Sequence, residues 1–244
     1  MTLVGHTLTI DIGGTGTKIM LLDRDGRPAG ERRATPTPRP ATPESVLGAI
    51  EELIEEERSF ERVSCGFPGV VNEGVVHTAP NLDGGWSGFD LARALEKLTG
   101  KPSRVCNDAD VQGLGMIEGR GVELVITLGT GLGAALFIDG RLVPNLELAH
   151  HPFKKNATYE QYVGKPALER VGKKKWRKRV RKVIEQLDPI FNYRVLYIGG
   201  GNAKKLACKL PDNVRIGDNL AGLLGGIRLW SQESERDARY ALAV

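Results

Sequence analysis

Apolar and polar positions alternate in short blocks from the start of the chain. LTIDI, from Leu8, is a β-rich apolar run that ends at GGTGTK and resumes as IMLLD, and DRDGRP closes the second run. Two such runs about a glycine turn predict a hairpin. ATPTPRPATP follows, and its prolines at 36, 38, 40 and 43 rule out helix interior or central strand, so an extended surface connection is predicted. Thr42 has the chemistry of an N-cap and Pro43 that of a first helical residue. Val46, Leu47, Ile50, Leu53 and Ile54 then recur at helical spacing with acids opposite, and VSCGF reads as a buried strand. Past Pro68-Gly69, VVNEGVV predicts a small hairpin, FDLARALEKLTG a helix stopped by Gly100, and SRVCND a short strand with a polar end.

The opening pattern then returns. LVITLGTGLGAALFIDGRL repeats the order strand, glycine turn, strand, turn. This predicts a duplicated α/β chain with two lobes whose glycine turns face one cleft. RVLYIGGGNAKKL adds a third strand–glycine–helix junction, and NLAGLLGGIRLW reads as a glycine-containing helix. The expected division is a smaller lobe over 1–110, completed by a C-terminal helix at 230–244, and a larger lobe over 111–229. Between these, Trp176, Val180, Val183, Ile184 and Leu187 form an apolar helical stripe, which makes Trp176 a core residue rather than a stacking platform.

Composition narrows the class. A chain of 244 residues, 41% hydrophobic, can bury a large core. Its apolar runs fall well short of the roughly 20 residues of a membrane span. MTLVGHTLTIDIGG lacks the regions of a secretory signal, so a cytoplasmic location is expected. Cys65, Cys106 and Cys208 are scattered and odd in number, as buried thiols would be, and the four histidines form no zinc cluster, so no structural zinc is expected. The net charge of +4 hides an asymmetry, because Arg170 to Lys182 carries nine Lys or Arg and no acid. Such a patch suits a polyanionic partner or is a solvated helix face.

Glycine turns after strands let backbone amides approach phosphate oxygens. Neither DIGGTGTK nor LGTGLG is a Walker A or Rossmann fingerprint, which disfavours P-loop and dinucleotide enzymes. Asp11, ending the first strand, could hold magnesium, directly or through water, or could simply cap a turn. Lys18 is a candidate counter-charge to phosphate. Thr15 and Thr130 are candidate phosphate donors, although turn hydroxyls also bond their own backbone. Asn107-Asp108 offers an amide to orient a hydroxyl and a carboxylate to take its proton, although Asn-Asp pairs are common in turns.

Taken in order, DIGGTGTK (11–18), FPG (67–69), APNLDGGW (79–86), NDAD (107–110), LGTGLGAAL (128–136), ELAHH (147–151), ALE (167–169) and GGG (199–201) resemble the ROK sugar kinases, particularly their polyphosphate glucokinase-like branch. The resemblance implies the two-lobed actin-like ATPase (ribonuclease H-like) α/β fold with a central cleft whose closure excludes water. It implies Asp108 as general base and Asn81, Asn107, Glu147, His150 and Glu169 as sugar ligands. It gives phosphate contacts to Asp11, Gly13, Gly14, Thr15, Thr130 and Gly131, and nucleotide contacts to Gly199, Gly200 and Gly201. The implied activity is a hexose kinase, glucose preferred, acting on the 6-hydroxyl with magnesium and polyphosphate, ATP or both, in a homodimer, without nucleic acid or membrane as partner.

Two departures stand out: Glu-x-Gly-His appears as Glu147-Leu148-Ala149-His150, and the family's cysteine-containing zinc motif is missing from 151–169. Ala149 is expected to shift the loop carrying His150, since alanine enters positive φ less freely than glycine. Alternatives are an ATP-dependent kinase of mannose, fructose or an N-acetylhexosamine, and a non-catalytic sugar-responsive regulator. The regulator would need a DNA-binding segment before the first strand, where seven residues stand. A nucleic-acid binder built on the basic helix lacks an interleaved aromatic pattern.

Overall fold

The computed structural model describes residues 5–55, 59–154, 156–207, 209–217 and 224–231. The chain divides into two compact units, Met1–Gly115 with Gly222–Val244, and Met116–Ala221. The first contains β1 (Thr7–Ile12), β2 (Gly16–Leu22), β3 (Arg33–Pro36), α1 (Pro43–Ile54), β4 (Arg62–Phe67), β5 (Val71–Asn72), β6 (Val75–Val76), α2 (Leu91–Thr99), β7 (Ser103–Asn107) and α3 (Asp108–Met116). Its main sheet runs β3-β2-β1-β4-β7; β1, β4 and β7 are parallel, and the β1–β2–β3 pairings are antiparallel. Three strands therefore end side by side at their carboxyl ends, where open α/β sheets build sites.

Local chemistry accounts for these elements. Thr42 caps α1 by accepting from the Ser45 amide, with Pro43 at the first turn, and the helix buries Val46, Ile50, Leu53 and Ile54. Asp90 caps α2, and Gly100, at φ 69°, ends it in the left-handed region where glycine carries no steric cost. The proline-rich connection does more than cross the surface, because Arg33–Pro36 pairs with β2 as the edge strand, the one sheet position that tolerates proline. The glycine-containing helix is described over 224–231; the helix expected at 230–244 lies, from 232 on, outside the described residues. A Cβ on Gly225 would sit 1.6 Å from the Val111 carbonyl oxygen, so glycine is what lets this helix lie against α3.

The second unit repeats the plan with β8 (Val122–Leu128), β9 (Leu132–Ile138), β10 (Arg141–Val143), β11 (Pro152–Lys154), β12 (Ala157–Thr158), α4 (Tyr159–Val163), α5 (Lys165–Phe191), β13 (Val195–Gly199) and β14 (Val214–Ile216). Its sheet, β10-β9-β8-β13-β14, has the same order of antiparallel and parallel pairings as the first. Trp176, Val180, Val183, Ile184 and Leu187 are all buried in its core, and Trp176 donates its indole N–H to the Val163 carbonyl at 2.6 Å. The third junction is corrected: β13 leads not into an α-helix but into a four-residue 3₁₀ turn, Ala203–Leu206.

Over 152–163, in place of the missing zinc motif, stand the β11–β12 hairpin and α4, packed through Phe153 on Tyr159 and Tyr162 with the Arg179 guanidinium over the Tyr162 ring. Cys65 is buried, and burial pushes its thiol up; Cys106 is only half-buried, which corrects the expectation of three core thiols, and Cys208 lies outside the described residues. Among the described residues no helix is long and apolar enough to cross a membrane.

One polar hub ties the second unit together. Glu123 is fully buried and accepts from the amides of Glu118, Gly119 and Arg120, from Arg194 and from the Tyr197 hydroxyl. Outside it, Glu118 bonds Arg215 and Arg194, and these hydrogen bonds hold its carboxyl below the ordinary range. A depressed carboxylate stabilises the fold above its unfolded pKa and loses that contribution as pH falls through the folded value. Urea midpoints of Glu118→Gln should therefore fall less steeply than wild type between about pH 6 and pH 3. Parallel profiles would remove Glu118 from the acid response.

Candidate functional site

The first glycine turn joins β1 to β2 and is closed by the Gly13 amide bonding the Gly16 carbonyl. Its carbonyls are tied down from one side. Thr37 Oγ1 donates to Gly13 O, Arg39 donates to Gly14 O at 2.8 Å, and the Thr37 amide donates to Thr15 O. In a planar trans peptide the carbonyl and the next N–H point in opposite directions. Fixing Gly13 O and Gly14 O thus turns the Gly14 and Thr15 amides the other way, and among the described residues these two make no hydrogen bond. Paired amides of this kind are anion donors. Thr15 is exposed beside them, and a Cβ on Gly14 would come within 3.1 Å of the Asn81 side chain, so exposed Asn81 borders the turn.

Asp11 sits at the end of β1, half-buried. Lys18 stands directly opposite on β2 and bonds its carboxylate at 2.8 Å. The ladder register thus commits Lys18 first to Asp11. No group of three or more metal-ligating side chains occurs among the described residues. Magnesium, however, binds proteins through one or two carboxylates, waters and substrate phosphates. Asp11 fits that donor set.

Asn107 and Asp108 end β7 and begin α3. Asn107 is buried, and its Oδ1 accepts from the Ala109 and Asp110 amides while its Nδ2 donates to Gly69 O at 3.0 Å. It is the N-cap of α3 and ties that cap to the FPG loop, so its amide positions Asp108 before it can orient a hydroxyl. Gly66 serves the same end, because its missing Cβ would lie 3.3 Å from Asp108 Cα. Asp11 pairs with Gly66 and Gly66 with Cys106, which puts β1 and β7 two strand spacings apart, roughly 10 Å.

In the second unit the turn between β8 and β9 repeats the device. Gly129 O accepts from Asn202 Nδ2 at 2.9 Å and Thr130 O from the Lys165 amide, so the Thr130 and Gly131 amides face away, and neither makes a hydrogen bond among the described residues. Of the third glycine set, Gly199 is buried and Gly200, at φ 83°, packs so tightly that a Cβ would lie 2.6 Å from Leu128 O. Gly201 alone is exposed. Gly199 and Gly200 thus also shape the turn itself.

Glu147 and His150 flank a short 3₁₀ turn, 3.8 Å apart. Ala149 lies inside that turn without positive φ, so alanine carries no backbone strain there. Partial desolvation raises the Glu147 carboxyl, with His150 opposing and the nearby Glu160 adding to the shift. Glu160 went unnoticed in the sequence. Its carboxylate lies against Gly131, accepts from the Leu132 amide at 3.4 Å, and faces Glu147 electrostatically. Glu169, by contrast, is exposed on α5 within 3.8 Å of Lys165. The structure brings Glu160, not Glu169, to the second glycine turn. Its signal was the capping box at Thr158 and Gln161, which puts Glu160 in a first helical turn.

Comparison with known proteins is consistent with this geometry. The model of the ROK family matches residues 7–151. The chain is 32% identical over 218 residues to polyphosphate glucokinase of Mycobacterium tuberculosis (strain CDC 1551 / Oshkosh), covering 82% of this chain and 79% of that one. N-acetylmannosamine kinase of Citrobacter koseri is 35% identical over 152 residues, 59% of this chain and 52% of that one. The crystal structure of the inorganic polyphosphate/ATP-glucomannokinase of Arthrobacter sp. strain KM superposes with a TM-score of 0.85 at 33% identity, covering 93% of this chain and 99% of that one.

Proposed function

The chain belongs to the ROK family, and on that premise we propose that it is a hexose kinase, preferring glucose, that transfers a phosphoryl group from polyphosphate, ATP or both to the sugar 6-hydroxyl. The observation that carries this reading is the pair of glycine turns built alike, each with its carbonyls anchored and two amides turned outward. Phosphoryl transfer asks mainly for such placed donors and for a base.

Asp108 is the base. It takes the 6-hydroxyl proton as that oxygen attacks phosphorus and the bond to the leaving phosphate breaks; in the first unit the Gly14 and Thr15 amides, and in the second the Thr130 and Gly131 amides, are the donors offered to phosphate oxygens. Asp11 would hold magnesium together with water and donor phosphates, and the ion would supply neutralisation of phosphate charge there. Asn107 fixes Asp108 through the α3 cap and the FPG loop. Asn81 in the first unit, and Glu147, His150 and Glu160 in the second, are the ligands offered to sugar hydroxyls, and Glu169 is released from that role. Gly201 is the exposed member of the nucleotide loop. A homodimer in the cytoplasm, with no nucleic acid or membrane partner, is the setting the family resemblance suggests.

Removing a charged hydrogen bond to a sugar hydroxyl costs about 1.5–3 kcal/mol, roughly tenfold or more in binding. Glu160→Gln should raise the glucose KM by about that factor while Glu169→Gln leaves it within about twofold; the reverse ranking would restore Glu169. A second reading, a kinase of N-acetylmannosamine, is favoured by the Citrobacter relative. A kcat/KM comparison across glucose, mannose, fructose and N-acetylmannosamine decides between them: glucose or mannose first supports the proposal, and N-acetylmannosamine first replaces it.

A further inference from the structure

The basic stretch of α5 does not act alone. Beyond Arg170 and Lys173, its side chains split three ways. Arg179 is spent on Tyr162, stacking on the ring and donating to the carbonyl oxygen. Lys175 and Lys182 are exposed on the Arg179 flank. Lys174, Arg177, Lys178 and Arg181 recur at i, i+3, i+4 and i+7 and form one stripe. Along this stripe Arg177 donates to Lys205 O at 2.7 Å and Arg181 to Lys209 O at 2.8 Å. These bonds lay residues 202–207 and 209–210, which carry three lysines and no acid, beside the helix.

The same segment reaches the second glycine turn. Lys205 Nζ donates to Asn202 Oδ1 at 2.6 Å, and Asn202 Nδ2 donates to Gly129 O. A series of contacts therefore runs from the Gly129 carbonyl of the second glycine turn through Asn202 and Lys205 to the α5 stripe. Lys174, Lys178, Lys204 and Lys209 have no carboxylate within ion-pair distance among the described residues. Unneutralised like charges on two facing segments repel one another, a cost that a polyanion lying between them relieves.

Resting on the hexose kinase reading, we propose that this two-sided basic strip is the track for the distal phosphates of a linear inorganic polyphosphate donor whose reacting end lies at the second glycine turn. A polymer of phosphates alone fits better than a nucleic acid. Trp176, inside the basic stretch, is buried, and the Tyr162 ring beside it is covered by the Arg179 guanidinium, so neither is an open platform for a base. Lys174 to Arg181 spans about 10 Å of helix, enough for several consecutive phosphates. Phosphate-only recognition is salt-dependent, with the log–log slope falling by about 0.7 for each contact to a flexible single chain.

The test compares wild type with the variant Lys174→Gln/Lys178→Gln/Lys204→Gln/Lys209→Gln, using long-chain polyphosphate, tripolyphosphate and ATP as donors across a salt series. The expected result is a KM for long-chain polyphosphate raised about tenfold or more, a salt slope flattened by roughly 2–3, and KM values for tripolyphosphate and ATP moved less than about twofold. Unchanged long-chain KM, or equal losses with all three donors, would overturn the track. Direct binding of fluorescently labelled polyphosphate separates this outcome from the activity: a wild type that phosphorylates no hexose but binds polyphosphate through these lysines sinks the kinase reading and keeps the track. Equal affinity for single-stranded DNA of matched charge would make the strip a nucleic-acid surface instead and overturn the proposal.

Discussion

Asp108→Asn should lower kcat for sugar phosphorylation by about 10²–10⁴, the usual contribution of a positioned base, and leave glucose binding by calorimetry within about threefold. The substitution keeps the size and the start of α3. Because Asn107 accepts from the Ala109 and Asp110 amides, the cap and its tie to Gly69 survive the substitution. A variant folded, glucose-binding and nearly inactive isolates proton acceptance from positioning. Retention of wild-type kcat would assign the base elsewhere.

Gly200→Ala tests the second unit by stability instead. The position combines φ 83°, costly for an L-residue by about 1–2 kcal/mol, with a would-be Cβ 2.6 Å from Leu128 O, 2.7 Å from its amide nitrogen and 2.8 Å from its carbonyl carbon. The obstacle is strand backbone, which cannot swing aside, so overpacking adds about 1–3 kcal/mol. The sum, about 2–5 kcal/mol, should lower Tm by roughly 5–15 °C in a protein of this size. Relief of the clash moves the second turn, where the Asn202 amide bonds Leu128 O and its side chain bonds Gly129 O, so the donor KM should rise as well. Gly201→Ala, with nothing within 4 Å of its Cβ, is the control and should leave Tm within about 1 °C.

How much of this was legible depended on how local the cause was. The hairpins, the Thr42-Pro43 helix start and the Gly100 stop follow from neighbouring residues, and they stand where turn and cap chemistry put them. The duplication showed because the strand–glycine–strand pattern recurs in sequence, and the matching sheet orders carry it into topology. Helix α3 was invisible because DADVQGLGM has glycines at 113 and 115 and buries Ala109, Asp110, Val111 and Leu114, leaving no apolar stripe to read. Packing against the helix at 224–231, far away in sequence, and the Asn107 cap hold it in place.

The site residues divide in the same way. Asp11 and Asp108 lie at strand ends that a periodicity reading finds. The pairing of Lys18 with Asp11 is a matter of register, set by the length of the turn between them. The choice of Glu160 over Glu169 is a tertiary matter. Both are glutamates near the start of a helix, and only the fold brings one of them against Gly131.

The most direct measurement is the product formed when the purified protein is given glucose, magnesium and either ATP or polyphosphate, followed by phosphorus NMR. Appearance of glucose 6-phosphate with at least one donor, and its loss in Asp108→Asn, is the result predicted from two amide-bearing glycine turns and a capped aspartate. Phosphate released as inorganic phosphate, or no product from any hexose with either donor, would contradict it and leave a sugar-binding protein on a kinase frame.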